Sequence, residues 1–171
     1  MKLLLHACCA PCATYPLETV KEDITLFFYN PAIEPIMEYE KRFTEIEKLA
    51  KFTKTKLVIW DYDNLDWHEL VKGKETEAEG GERCKICFLQ RMRKTAEYAK
   101  MNGFDAFATT LSVSPFKDDK SINEAGKIAE KEFGIKFLEL DFKKGYMRSV
   151  ELSRMYYLYR QDYCGCLFSK R

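Results

Sequence analysis

Short apolar runs alternate along the chain with longer stretches in which apolar residues recur every three or four positions. Lys2–His6, Ile24–Tyr29, Lys56–Trp60, Phe104–Leu111 and Ile135–Leu140 read as strands, each rich in aliphatic or aromatic residues and short enough to be buried. Between the second and third, Ile36, Tyr39, Phe43, Ile46 and Ala50 fall on one helical stripe. Phe88, Leu89, Met92, Ala96 and Ala99 mark another, stopped by Asn102-Gly103. Ser121 with Glu124 three residues on has the form of a capping box, and it predicts a helix with Ile122, Ala125, Ile128 and Ala129 inward that ends near Gly134. The polar, glycine-rich stretch Lys72–Gly81 reads as a mobile loop.

This alternation predicts a three-layer α/β fold: a mainly parallel, five-stranded, Rossmann-like sheet with helices on both faces, followed by a cysteine-bearing helical tail. In such sheets ligands bind in the crevice beyond the carboxyl ends of the strands. The first strand runs directly into Cys8, Cys9 and Cys12 at that rim, the second ends at Tyr29-Asn30-Pro31, the fourth at Thr109–Ser114 and the fifth at Asp141. A chain of 171 residues supports one compact core. We therefore read 1–171 as a single metal-binding domain, with the sheet core in 1–142 and a basic, tyrosine-rich segment in 143–171.

Composition narrows the class. With 46% hydrophobic and 32% charged residues the chain has an ordinary globular balance. Its apolar runs fall far short of the roughly 20 residues that cross a bilayer, and no signal-peptide layout opens it. The expectation is a cytoplasmic protein without a membrane partner. The net charge of +1 is unevenly spread: residues 143–171 carry +5, from Lys143, Lys144, Arg148, Arg154, Arg160, Lys170 and Arg171 against Glu151 and Asp162, which leaves 1–142 at −4. A basic tail suits a polyanion, and a solvated helix face accounts for the charge equally well. Tyr156, Tyr157, Tyr159 and Tyr163 interleave with Arg154 and Arg160, the pairing by which single-stranded RNA is stacked and its phosphates held. An amphipathic helix with Leu152, Tyr156 and Tyr159 inward is the competing reading.

Seven cysteines are the outlying feature, because clustered thiols in a reducing compartment bind metal or do redox chemistry. They fall in three groups: Cys8-Cys9 with Cys12, Cys84 with Cys87, and Cys164 with Cys166. Two C-x-x-C pairs, Cys9/Cys12 and Cys84/Cys87, supply the four thiolates that either a [4Fe–4S] cube or a tetrahedral zinc requires. Dithiol–disulfide exchange is the third reading. The three surplus thiols favour the cluster, since a purely structural zinc leaves them unexplained. His6 sits beside the first group and reads as the end of a buried strand rather than a ligand. The chain has no phosphate-binding glycine loop after a strand, which counts against an ATP-consuming tRNA transferase.

The motifs LHACCAPC at 5–12, FYNPAIEP at 28–35, ERCKICFLQR at 82–91, TTLSVSP at 109–115 and LYRQDYCGCLFS at 158–169 together resemble the QueH family of epoxyqueuosine reductases. The resemblance spans essentially the whole chain. It implies reduction of epoxyqueuosine to queuosine at the wobble position of tRNA, the last step of queuosine biosynthesis, without cobalamin. It also implies a [4Fe–4S] cluster, an additional mononuclear iron and a separate electron donor. The sheet order is compatible with the fold of adenine-nucleotide-hydrolase-like tRNA-modifying enzymes. On this resemblance we assign Cys9, Cys12, Cys84 and Cys87 to the cluster, and Cys8, Cys164 and Cys166 to the second iron, with an oxygen ligand from Asp141. Tyr29, Lys117 and Asp141 are the candidate catalytic groups, and Arg154, Arg160, Lys143 and Lys144 the candidate RNA contacts. The Asp118-Asp119 stretch has no assignment from sequence.

Overall fold

A computed structural model describes residues 1–170. Five strands, β1 (Lys2–His6), β2 (Asp23–Phe28), β3 (Lys56–Ile59), β4 (Ala106–Thr109) and β5 (Lys136–Phe137), form one sheet in the order β3-β2-β1-β4-β5, and every adjacent pair is parallel. The helices are α1 (Ala10–Thr19), α2 (Ile36–Thr53), α3 (Asn64–Val71), α4 (Glu82–Met101), α5 (Asp119–Phe133) and α6 (Tyr146–Met155). The expected three-layer architecture is present.

The strands alternate their side chains between two separate cores, as a doubly covered sheet requires. Leu3, Leu5, Leu26 and Phe28 point to one face, where they meet α1 and α2 through Ala10, Ala13, Ile46 and Leu49. Leu4, Phe27 and Phe107 point to the other, against Met92 and Ala96 of α4 and Ile122, Ala125 and Ala129 of α5. A third, smaller cluster gathers Ala32, Trp67 and Val71 with Cys87 and Cys166 beyond the strand ends. The chain reverses its direction of growth between β2 and β4 on either side of β1, so the crevice opens where His6, Phe27 and Thr109 lie in register.

Several boundaries differ from the sequence reading. The fourth strand is shorter because the chain turns into a 3₁₀ segment at Leu111–Val113, with Leu111 N donating to Thr109 Oγ1 at 3.2 Å. The fifth pairs only with Ala106 and Phe107. α4 begins well before its apolar stripe and takes Cys84 and Cys87 into its first turns. Helix α5 is capped by Asp118, whose Oδ2 accepts from Ser121 N at 2.9 Å, so the cap lies three residues before the expected capping box. That gives the Asp118-Asp119 stretch a role, and Ile128 lies 41% exposed instead of inward.

Two segments expected to be irregular or helical are tied down by arginines. Lys72–Gly81 is a series of turns around the buried Arg83, whose Nη1 donates to the carbonyls of Lys74 and Glu75 at 3.1 Å each and Glu77 at 2.5 Å. The C-terminal tail is α-helical only to Met155, with one later 3₁₀ turn at Leu167–Ser169. A left-handed residue, Tyr157 (φ 52°), ends α6, and the chain returns as a strap along α2. The polar face of α2 grips that strap. Lys48 Nζ donates to Tyr157 O at 2.6 Å, Glu45 accepts from Tyr159 N at 2.8 Å, and Arg42 donates to the carbonyls of Cys164 at 2.8 Å and Tyr163 at 3.1 Å. Among the described residues, no helix is long and apolar enough to cross a membrane.

Candidate metal centre

At the end of β1 the chain passes through Cys8 and Cys9 into α1, with Cys9 as its N-cap. This strand-to-helix turn brings the Sγ atoms of Cys8, Cys9 and Cys12 within 4.8 Å of one another. Cys9 Sγ accepts from Cys12 N at 3.5 Å, and Thr110 Oγ1 donates to Cys8 Sγ at 3.3 Å while accepting from Cys8 N at 3.1 Å. Hydrogen bonds from the Cys12 and Cys9 thiols hold Cys8 well below the ordinary thiol range, and sharing with Cys8 holds the Cys12 proton in place. A helix N-terminus further favours a thiolate here. Three thiols this close could hold a metal ion.

Beneath it, His6 ends the strand in the core. Its Nδ1 accepts from Thr109 Oγ1 and its Nε2 donates to Tyr29 O, both at 3.0 Å. Burial, then the nearby Arg91 charge, lowers its pKa to about 4, so the ring is neutral. It ties β1, β2 and β4 together at the rim, as expected of a strand end.

The other thiols come from distant segments. Gly80 N donates to Cys84 Sγ at 3.2 Å, and Arg91, one turn after Cys87 on α4, donates from Nη2 to Cys87 Sγ at 3.1 Å. Cys164 and Cys166 flank Gly165 (φ 138°), a conformation that favours glycine; a Cβ there would also lie 2.9 Å from Ile33 Cγ1. Glu34 N donates to Gly165 O at 2.9 Å, and the Arg42 guanidinium, braced by Glu38 at 2.7 Å, holds the preceding carbonyls. Cys84, Cys87, Cys164 and Cys166 thereby line one cavity with Cys8, Asn30, Trp67, Arg91 and Lys117.

A cleft of about 530 Å³ adjoins this cavity and is lined by Cys8, Cys12 and Cys164 with Arg42, Arg91, Phe116, Lys117, Tyr146, Arg160, Tyr163 and Lys170. Cys8, Cys164, Arg91 and Lys117 border both spaces. Burial alone would lower the Lys117 ammonium, but the sulfurs of Cys164, Cys8 and Cys12 outweigh it and raise it. Among the described residues, neither Arg91 nor Lys117 forms an ion pair with a carboxylate. The sulfurs of Cys8 and Cys164 favour both positive charges.

A family model described as epoxyqueuosine reductase QueH matches residues 3–171. The chain belongs to the epoxyqueuosine reductase QueH family. It is 42% identical to the epoxyqueuosine reductase QueH of Streptococcus pyogenes serotype M1, over 99% of this chain and 70% of that protein. It is 40% identical to the protein of the same name from Haemophilus influenzae, over 99% and 72%, and 38% identical to that from Thermotoga maritima, over 98% and 89%. As a member of a reductase family, the chain is an oxidoreductase. The QueH motifs quoted from the sequence surround the two spaces just described.

The candidate residues divide sharply. All three cysteine groups meet, and Lys117 stands among them. The grouping differs from the expected one, since Cys9 and Cys12 lie with Cys8, whereas Cys84 and Cys87 line a cavity with Cys164 and Cys166. Asp141 lines neither space; it is exposed, and its Oδ1 accepts from Lys143 N at 3.0 Å in a local turn. Tyr29 also stands apart, buried, with its hydroxyl on Asp63 at 3.1 Å and its acidity suppressed by burial and that carboxylate. Arg160 lines the cleft, Arg154 and Lys144 are exposed beyond it, and Lys143 is paired with Asp119 at 2.7 Å. Tyr159 packs under Lys41 and bonds Glu38, and Tyr163 lies against Arg42, so these rings brace the strap. Sequence reasoning missed Arg42, Arg91 and Trp67. Only the Cys87–Arg91 spacing, one helical turn within ERCKICFLQR, carried a signal.

Proposed function

We propose that this protein reduces epoxyqueuosine to queuosine at the wobble position of tRNA, completing queuosine biosynthesis, with a [4Fe–4S] cluster and an adjacent mononuclear iron and without cobalamin. The observation that carries the reading is the convergence of three cysteine groups on two adjoining spaces whose Arg91 and Lys117 cations form no ion pair with a carboxylate among the described residues. Such cations suit an anionic thiolate-bound centre, and so does the Trp67 Nε1, buried without an acceptor. The name shared by the relatives supplies the substrate.

The grouping of the thiols supports Cys84, Cys87, Cys164 and Cys166 as cluster ligands and Cys8, Cys9 and Cys12 as the second iron's site. When bound, such centres supply single electrons and a Lewis acid for the departing oxygen. Removing the oxygen takes two electrons from a separate donor and two protons, and water leaves. The Lys117 ammonium holds a proton at Nζ on the border of both spaces and is the candidate donor. Arg160 and Lys170, on the cleft wall, bind phosphates, and the reading sets the reaction in the cytoplasm with the tRNA.

Anaerobic reconstitution followed by iron and sulfide counting and turnover of epoxyqueuosine-containing tRNA with dithionite tests this. The expected load is about five iron and about four sulfide ions per chain. Loaded protein that leaves the epoxide intact overturns the activity. For the ligand division, Cys12→Ser is expected to lower iron alone and Cys164→Ser to lower sulfide as well, and the reverse pattern overturns it.

A further inference from the structure

Arg91 is a full positive charge in the interior, 5% exposed, whose guanidinium is spent on one cysteine. Nη2 donates to Cys87 Sγ at 3.1 Å, Nε donates to Cys87 O at 3.3 Å, and Nη1 reaches Asn30 Oδ1 at 3.5 Å. Asn30 is oriented by its own Nδ2, which donates to Ala7 O at 2.9 Å and leaves its oxygen for the arginine. A buried cation with no carboxylate is costly unless another anion faces it. The second observation comes from the opposite side. Trp67 is fully buried, packs with Cys87 in one cluster, and among the described residues its Nε1 has no hydrogen-bond acceptor. Cys84, in the same C-x-x-C pair, receives only the Gly80 amide. Two sulfurs of one motif are thus treated unequally.

We infer that Arg91 is a positioning residue that sets the reduction potential of the metal centre held through Cys87, raising it by donating an N–H bond to that sulfur, and that the unpartnered indole N–H of Trp67 in the same cavity favours the reduced centre in the same direction. The inference rests on the cluster reading above. In each reduction the external donor loses one electron and the thiolate-bound centre gains one, with no bond broken and no proton taken up. The added negative charge is shared with the ligating sulfurs, so donors aimed at a sulfur bind the reduced form more strongly than the oxidised form. A guanidinium in a low-dielectric interior strengthens that preference beyond a neutral N–H. The two successive electrons needed by an epoxide are then accepted from a weaker donor.

The test is a dithionite titration, followed by electron paramagnetic resonance, of reconstituted wild type, Arg91→Gln, Arg91→Lys and Trp67→Phe, each with iron and sulfide counted. Arg91→Gln is expected to shift the reduction equilibrium at least tenfold toward the oxidised state, about 59 mV for one electron. Trp67→Phe should shift it about threefold in the same direction, as loss of one neutral N–H donor facing the centre does. Arg91→Lys, which keeps the charge and loses the planar fork, should fall between wild type and Arg91→Gln. A fully loaded Arg91→Gln with the wild-type midpoint overturns the inference. If Arg91→Gln loses its iron, unshifted midpoints in Trp67→Phe and Arg91→Lys overturn it instead. Wild type that takes up no cluster removes the metal reading and this inference together. The expected shifts in a protein inactive toward the epoxide uphold the inference and remove only the substrate.

Discussion

Cys8, Cys9 and Cys12 come from one turn between β1 and α1, whereas Cys84, Cys87, Cys164 and Cys166 come from the start of α4 and from a strap that crosses the molecule to meet it. The first group needs little beyond its own backbone: a parallel strand, a helix cap and the Thr110 hydroxyl. The second exists only if the C-terminal strap is docked, and docking rests on one polar face of α2 together with Glu34, Arg83 and Trp67. Local chelates tolerate distant change. A chelate assembled across the fold is as stable as its clasp.

The clasp is where this difference breaks most readily. Arg42 is 2% exposed and holds Tyr163 and Cys164 through their carbonyls while pairing with Glu38. Arg42→Ala removes three bonds, leaves two carbonyls unanswered and leaves the largely buried Glu38 carboxylate without its cation, with the Tyr159 hydroxyl still donating to it. The expected loss of stability is roughly 3–5 kcal/mol. Chemical denaturation measures that loss, and sulfide content should fall with it because Cys164 and Cys166 leave the cavity. Iron held by Cys8, Cys9 and Cys12 should persist. Equal loss from both groups would show that they form one unit, against the contrast drawn here.

The same contrast explains what was legible in the sequence. The sheet, the two-faced cores and the rim position of Cys8 follow from short-range patterning, because parallel buried strands are continuous apolar runs and their ends are marked by turns. The stripe through Ile36, Tyr39 and Ile46 predicts α2, but Glu38, Arg42, Glu45 and Lys48 lie off that stripe and carry no apolar signal. Nothing local says that this face meets residues 157–164. The tyrosines of the tail likewise read as a stacking platform or a helix face, and they became bracing because the strap runs along α2. Which thiols share a cavity is a long-range property, and the spacing within each C-x-x-C motif does not carry it.

A pH experiment sharpens the local half of the comparison. His6 has a folded pKa lowered to about 4 from 6.5, so the unfolded chain binds the extra proton below 6.5 and the folded one resists it. The stability this contributes to neutrality is fully present above 6.5 and is lost as pH falls toward 4, by at most about 3 kcal/mol. His6→Asn should flatten that part of the stability profile measured by urea titration. A profile unchanged in slope between about pH 6 and about pH 5 would mean that the neutral ring does not anchor the three strand ends.

The smallest effect concerns the tail after it has docked. Arg160 lines the cleft and is exposed, with only a 3.3 Å bond from Nη1 to Ser153 Oγ, so it is free to meet a phosphate without disturbing either chelate. Arg154 sits on α6 outside the cleft. Arg160→Ala should therefore leave iron and sulfide at wild-type levels, weaken binding of tRNA several-fold at low salt and reduce the slope of log affinity against log salt by about 1. Its deficit shrinks as salt rises, because the lost contact was itself screened by counterions. Arg154→Ala is expected to change the slope less. An Arg160 variant that loses metal would join the tail's surface to the clasp, and one with an unaltered salt slope would take the phosphate path elsewhere than along this wall.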